Sequence, residues 1–381
     1  MSDCLPWTLI ALAACSAACA DPTSDATTGE ATSWVVPDPT CDDFICGGNS
    51  ATLGDGVVFD ELNTNGLPDV HRVRIIDATY HDPDTLVDVA VHLVADRDRL
   101  TAVAADGTTY AGFQLVHVSF RLFGPSGGYN AEITDVENEA LHFWANDPAR
   151  TVPPADDQHQ YIQFYRIIAW RFTDSRQDAR PICPSDVRHQ PDWGNFWAPV
   201  EHSAVVFEGD RYDPQHKIVS DVTWTTPWFN LACAGSVPAK MLLMRRTNAA
   251  SFGRDGVRWY TLSTRERQAM LKMFTADYCG TGQAFTVDGQ PLIWWESHHW
   301  YDETPLLGLP APRPVASVEA LWDENGALCL TTPRMAVPWT GPPTTVDEVR
   351  QACPAKNLRD CPTDLTGWET YAKVLTLNPV F

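Results

Sequence analysis

In residues 86–94 apolar side chains recur at every second position. Val87, Val89, Val91 and Leu93 alternate with Asp88, Ala90, His92 and Val94. Only an extended chain places alternate residues on one face, so this period selects a half-buried β-strand over a helix. The pattern returns in residues 115–122, where Val116, Val118, Phe120 and Leu122 share one face and His117, Ser119 and Arg121 the other. Residues 161–172 read as a long strand. Asp288-Gly289, between Phe285-Thr286-Val287 and Leu292-Ile293-Trp294, is a hairpin turn signal, and Asp323-Glu324-Asn325-Gly326 joins residues 318–322 to 327–331 in the same way. Fifteen Trp and 29 Pro suit a chain of strands and loops. Helical patterning is confined to two places. Ser263 and Glu266 form a capping box that opens a helix over about 264–277, with Met270, Leu271, Met273 and Phe274 as its apolar residues and Gly280 beyond it as a stop. Thr345 and Glu348 open a shorter helix that Pro354 ends. The expected fold class is mainly β, an α+β chain with few helices, in a two-part, disulfide-stapled architecture.

The N-terminus carries a different signal. A short apolar run ends in Leu12-Ala13-Ala14-Cys15, which looks like the lipobox of a bacterial lipoprotein. The run is shorter than the roughly 20 apolar residues that span a bilayer, and fits the core of a signal peptide. Met1-Ser2-Asp3-Cys4 departs from such peptides, having no Lys or Arg. Ser16-Ala17-Ala18-Cys19 is the alternative lipid-attachment site, with a weaker Ser in place of Leu. Cysteine parity favours that alternative: beyond it lie Cys41, Cys46, Cys183, Cys233, Cys279, Cys329, Cys353 and Cys361, an even set. The motif favours Cys15, which is the expected site. Eleven cysteines in an exported chain read as disulfides, and no Cys-x-x-Cys pair or finger-spaced His pair points to structural zinc.

A hydrophobic fraction of 44% supports a real core. A formal charge of −22 argues against nucleic acid, whose phosphates need clustered Lys and Arg. No cofactor is expected, since no dinucleotide fingerprint, phosphate-binding Gly-rich loop or His-Glu-x-x-His is present. Three segments resemble chemical motifs. Gly124-Pro125-Ser126-Gly127-Gly128 matches the nucleophile elbow literally, but the residues that follow are turn formers with no helical face, so it reads as a hairpin loop. Asp60-Glu61-Leu62-Asn63-Thr64-Asn65-Gly66-Leu67-Pro68-Asp69 alternates oxygens as a calcium loop does, yet Arg72 stands where the closing Glu belongs; a turn held by Asn side chains fits better. Around Trp294-Trp295, the residues Glu296, His298, His299 and Asp302 form the candidate ligand or metal site. Adjacent His on an extended segment point to opposite faces, so the plainer reading there is an aromatic hairpin arm with solvated polar residues.

Ala276-Asp277-Tyr278-Cys279-Gly280-Thr281-Gly282 resembles the signature of the ADYC-domain family of exported bacterial proteins. Phe229-Asn230-Leu231-Ala232-Cys233 with Ala239-Lys240, Phe285-Thr286-Val287-Asp288-Gly289, Glu319-Ala320-Leu321-Trp322 and Gly326-Ala327-Leu328-Cys329-Leu330 are similar to further parts of that pattern. Cys46-Gly47-Gly48-Asn49-Ser50, Phe59-Asp60-Glu61-Leu62 and Gly66-Leu67-Pro68 are similar to its N-terminal part. Met241 and Ala269 replace two cysteines of the pattern, as loss of one disulfide would, and the partners of Cys233, Cys279 and Cys329 stay open. The resemblance implies export and disulfide bonding and carries no reaction. For Asp277 and Tyr278 a physical reading suffices: the tetrad ends a helix, Cys279 staples it, Tyr278 packs and Gly280 turns left-handed.

The expected organisation is a signal peptide with lipobox over 1–19 and a flexible tether over 20–40. An N-terminal β-rich domain follows over 41–175, then the ADYC-like β-rich domain over 176–335 and a C-terminal extension over 336–381. The expected function is a lipid-anchored envelope protein, at the outer membrane or cell surface, that binds or scaffolds an unidentified surface ligand or envelope protein. The alternative is an exported hydrolase acting on polysaccharide or peptide, with residues 294–303 in its site.

Overall fold

Strands with one apolar face must lay that face against something, and here most of them share a single sheet. The computed structural model describes residues 50–377, apart from residue 55 and the segments 141–160, 184–201, 214–215, 222–226, 235, 244–245, 249–261, 287–292, 297–317 and 335–344. A short hairpin, β1 (Ala51–Thr52) with β2 (Val58–Phe59), precedes the sheet. The sheet's strands begin with β3 (Glu61–Asn63), β4 (Arg74–His81), β5 (Asp88–Asp96), β6 (Arg99–Ala104) and β7 (Thr109–Ala111). They continue with β8 (Val118–Gly124), β9 (Gly127–Ala140), β10 (Tyr161–Arg171), β11 (Arg180–Pro181) and β12 (Ser203–Phe207). A separate hairpin, β13 (Asp210–Asp213) with β14 (Ile218–Asp221), follows, and β15 (Trp228–Cys233) returns to the sheet. The order is β3-β15-β12-β10-β9-β8-β4-β5-β6-β7, with β11 on β10, and each pairing is antiparallel. The fold is mainly β, as expected.

The strand expected over 86–94 is β5. Val91 and Leu93 face the core, while His92 and Val94 are exposed. It starts at Asp88 because Leu86 takes a left-handed backbone, φ 57°. The strand expected from residue 115 needs a correction at its start. Gly112–His117 form a 3-10 turn that buries Leu115, with the Ala111 N–H donating to Gln114 Oε1, and extended structure begins at Val118. A few residues of period two do not distinguish such a turn from a strand end.

Burial divides the sheet into two regimes. In β4, β5 and β8 one face is core and the other is solvent. In β12 all five residues are buried, because both of its faces are covered. Ala204 and Val206 join Tyr165, Ile167, Leu231 and the inner residues of β4–β8 in one core. Val205 and Phe207, with Ile162, Phe164 and Ala232, join a second core on the opposite face. The expected boundary near residue 175 falls inside this sheet, to which residues on either side of it contribute strands. The sheet also bends back on itself. Tyr165 Oη accepts the Leu100 N–H at 2.8 Å and donates to Gln163 at 2.8 Å, and the Glu208 N–H donates to the Arg97 carbonyl at 2.8 Å. The β5–β6 turn is thereby tied to the end of β12.

The second core is closed by helices α1 (Val237–Leu243) and α2 (Thr264–Phe274) and by a four-stranded sheet. That sheet comprises β16 (Ile293–Glu296), β17 (Val318–Asp323), β18 (Gly326–Leu330) and β19 (Val374–Leu377), in the order β16-β19-β17-β18. Helix α1 was not foreseen; it has seven residues, with Pro238 in its first turn, too short for a clear period. Ser263 caps α2 and Thr345 caps α3 (Val346–Ala352), each through the reciprocal box with a Glu three residues on. The β17–β18 hairpin forms where expected. Of the hairpin expected at Asp288-Gly289, residues 287–292 lie outside the described residues, and Ile293–Glu296 pairs with β19. Three disulfides join Cys183 to Cys233, Cys279 to Cys353 and Cys329 to Cys361. Cys41 and Cys46, like Cys15 and Cys19, lie outside the described residues. Met241 and Ala269, where the family pattern has cysteines, are both fully buried in the second core.

Candidate functional site

The signature tetrad lies where helix α2 runs out. The left-handed residue that ends the helix is Ala276, φ 50°, not Gly280, which takes φ 74° one turn later. Asp277 is fully buried. Its carboxylate accepts from Lys272 Nζ at 2.7 Å and from the backbone N–H groups of Thr281 at 3.1 Å and Gly282 at 2.8 Å. Lys272 Nζ also donates to the carbonyls of His216 at 2.8 Å and Gly280 at 3.2 Å, which uses all three of its protons. Tyr278 donates to Glu319 at 2.6 Å and stacks on Trp322 with ring centroids 5.1 Å apart. Burial, together with the Glu319 charge, holds the Tyr278 phenol well above the usual tyrosine range, so it remains a donor. Arg334 grips the same carboxylate through Nε at 2.8 Å and Nη2 at 3.3 Å. Cys279 is bonded to Cys353.

The same helix holds the β13–β14 hairpin with polar side chains. Arg267 meets Asp210 at 3.0 Å and donates to the Leu262 carbonyl. Gln268 donates to the Lys217 carbonyl at 2.7 Å and accepts the Val219 N–H at 2.7 Å. Arg267, Lys272, Asp277 and Glu319 are all buried and engaged with one another or with backbone. Such buried, mutually engaged groups orient helix, hairpin and sheet. The tetrad is a structural node, in agreement with the physical reading of Asp277 and Tyr278.

The segment 60–69 closes on itself. Asn63 Oδ1 accepts the N–H groups of Asn65 at 2.8 Å and Leu67 at 3.4 Å, and Asp69 Oδ1 accepts that of Val73 at 2.7 Å. Glu61 pairs with Arg211, whose guanidinium lies 3.9 Å from the Trp228 ring centre, and Asp60 faces His71 at 3.8 Å. Among the described residues no three of His, Cys, Asp and Glu converge to hold a metal ion. Burial pushes the Asp69 carboxyl up to about 7 from an ordinary 3.8, against the Val73 N–H that holds it down. Burial raises Asp60 and Glu208 as well.

A carboxyl raised in the folded state stabilises the fold while protonated. That contribution is complete below the unfolded value near 4 and is lost as pH rises through about 7. Asp82, Asp106 and Asp364, held low by hydrogen bonds from their neighbours, act in the opposite sense and lose their contribution as pH falls below about 4. The fold should therefore be more stable near pH 5.5 than near pH 8. Asp69→Asn should raise the unfolding free energy at both pH values, by about 2 kcal/mol more near pH 8 than near pH 5.5. Urea unfolding at the two pH values checks this; an unchanged midpoint for the variant near pH 8 would remove Asp69 as the cause.

The open half of the large sheet presents the other concentration of polar chemistry. Its outer face carries Arg74, Asp77, Thr79 and His81 from β4, Asp88 and His92 from β5, Ser119, Arg121 and Phe123 from β8, and Glu132 from β9. Most charges on it are paired. Arg121 reaches Asp77 at 2.8 Å, Arg176 forks onto Glu132 at 2.6 and 2.8 Å, and Arg166 lies 3.1 Å from Glu137. Two rings stand in solvent beside these guanidiniums, Phe123 at 43% and Phe172 at 45% exposure. Arg74 lies over Phe123 and Arg121 over Phe172, at 5.6 and 6.0 Å. Phe172 lies across Gly128, where a Cβ would stand 2.1 Å from the ring. Toward one edge, His81 Nδ1 is 2.7 Å from Asp88 Oδ1 and Nε2 is 2.8 Å from Ser119 Oγ.

Sequence reading placed Asp88 and Ser119 on alternating strand faces and singled out no chemistry at His81. What joins them is the pairing of β4 with both β5 and β8. The nucleophile-elbow match is a two-residue hairpin turn between Gly124 and Gly127, which pair with each other, as its turn chemistry implied. Of the 294–303 cluster, Glu296 ends β16, and His298, His299 and Asp302 lie outside the described residues.

A family model described as ADYC domain matches residues 114–336. No curated protein and no solved structure matches the chain.

Proposed function

The chain belongs to the ADYC-domain family, and we propose that it is a lipid-anchored envelope protein that binds its ligand on the open face of the large sheet. The observation that carries this reading is that face itself. It is broad and solvent-exposed, most of its charges are paired, and Phe123 and Phe172 stand out of it beside guanidiniums. Exposed aromatic and Arg side chains held rigidly are what recognition surfaces concentrate. The tetrad and its ion pairs keep the sheet and its covering layer in place. Three disulfides suit an oxidising, extracytoplasmic setting. The anchor rests on the lipobox at Cys15, with Cys19 as the alternative. No helix among the described residues is long and apolar enough to cross a membrane.

The test expresses the full chain in a bacterium fed an alkynyl fatty acid, alone and with Arg121→Ala, Phe123→Ser and Phe172→Ser combined. Label on the wild-type chain, lost in Cys15→Ser, is expected. After detergent extraction the wild-type chain should stay with the cell-wall fraction and the triple variant should be released. Equal retention of the two overturns the assignment of the face, and absence of label overturns the anchor.

A further inference from the structure

We propose that Ser119 is an activated nucleophile that takes an acyl group from an ester, with His81 as its base and Asp88 as the group that orients His81. Three adjacent strands bring these residues together. His81 and Asp88 are directly opposed across β4 and β5. Ser119, opposite Thr79 on β8, lies on the diagonal from His81. The two contacts, 2.7 and 2.8 Å, determine the tautomer. An ionised carboxylate only accepts, so a neutral His81 must carry its proton on Nδ1 and turn the Nε2 lone pair to the Ser119 hydroxyl. That is the arrangement in which imidazole removes a serine proton, and it is the nucleophile–base–orienter order that acyl transfer requires.

The step balances without a further reagent. The Ser119 hydroxyl proton passes to His81 Nε2 as Oγ bonds to the ester carbonyl carbon. The carbon–oxygen bond to the leaving alcohol then breaks, and the alkoxide takes the proton back from His81. Water repeats the sequence on the acyl-serine, with His81 as base, and releases the acid.

The surroundings limit what the group can do. Ser119 lies mid-strand and is paired on both sides, with Thr79 and with Glu132, so its backbone serves the ladders and offers no donor to an oxyanion. General-base catalysis contributes about 10²- to 10⁴-fold. Lack of an oxyanion donor forfeits about 10²- to 10³-fold. The balance favours esters whose leaving alcohol is acidic, such as aryl esters, and a slow second half that lets the acyl-serine accumulate. An open sheet face in place of a pocket suits an acyl group displayed on an extended molecule. This inference stands apart from the binding reading, because Arg121, Phe123 and Phe172 take no part in the proton path.

The full chain is incubated with 4-nitrophenyl acetate and, separately, with a fluorophosphonate, and modified peptides are mapped by mass. Ser126, exposed on the adjoining hairpin turn, is the internal control. Ser119 is expected to be modified at least 100-fold faster than Ser126, with His81→Gln lowering its rate by about 100-fold. Asp88→Asn should lower it by about tenfold, with recovery in Asp88→Glu. All three side chains are at least partly exposed, so a matched urea midpoint separates these effects from unfolding. Modification of Ser119 no faster than of Ser126 overturns the proposal, and so does a Ser119 rate that His81→Gln leaves unchanged. Neither outcome touches retention on the cell wall, which tests the binding face alone.

Discussion

Replacing Gly280 by Ala is expected to lower the free energy of unfolding by about 4 kcal/mol or more. A Cβ at this position would stand 1.8 Å from the Asn325 carbonyl oxygen and 2.7 Å from its carbon. These are backbone atoms of the β17–β18 turn, not the end of a flexible side chain, so relief requires the turn to move. It cannot move alone. The Ala327 N–H donates to the Tyr278 carbonyl at 3.1 Å, and Gly326 lies against Gly280 and the Asp277 carbonyl. Retreat of the turn therefore strips contacts from the tetrad itself. A left-handed backbone adds about 1–2 kcal/mol for any residue with a Cβ. Gly107 isolates that smaller contribution, since it has φ 89° with nothing within 4 Å of its would-be Cβ. Gly107→Ala should cost about 1 kcal/mol. Urea unfolding of the two variants side by side is the measurement. Equal midpoints would mean that the close approach of loop and hairpin carries no stability.

The second large effect is expected at Asp277. Asp277→Ala should cost about 3–5 kcal/mol, because it leaves a buried lysine without its counter-charge. The N–H groups of Thr281 and Gly282 lose their acceptor at the same time. Lys272→Met should cost less, since Asp277 would keep both of those donors. The double variant, Asp277→Ala with Lys272→Met, removes the orphaned charge but not the orphaned amides, so it should recover only part of the loss. Denaturant unfolding of the three variants under oxidising conditions checks the ranking. Full recovery in the double variant would assign the role to charge pairing alone, and near-native stability of Asp277→Ala would show that the tetrad is not a structural node.

Local physics accounts for what could be read in advance. The faces of β5 were legible from Val91, Leu93 and their polar neighbours because a strand's period is a property of its own backbone. Both capping boxes were legible because Ser263 with Glu266 and Thr345 with Glu348 interact across three residues. The β17–β18 hairpin was legible because its turn residues lie between its strands. Each of these errs only at an end: β5 starts later, after a left-handed Leu86, and α2 stops earlier, at Phe274, ahead of a left-handed Ala276. The Cys183–Cys233, Cys279–Cys353 and Cys329–Cys361 pairings were not legible, since parity constrains the number of bridges and not the partners. The buried charges of α2 were hidden too. Arg267 and Lys272 look like solvent-facing residues until the β13–β14 hairpin and the tetrad are laid over them.

The sequence by itself determined the class of the fold, the inward and outward faces of its clearest strands and its capped helix starts. Only the tertiary structure decided that β4 lies between β5 and β8, that β12 is covered on both sides, and that the tetrad closes on Glu319 and Arg334. Asp88, His81 and Ser119 illustrate the difference. Each was visible as a polar residue near a strand, yet across the separation of 38 positions from His81 to Ser119 no local signal says that the two will meet. Register between distant strands is set by how whole faces pack and which loops can close. That free energy belongs to the assembled sheet and to no segment of the chain alone.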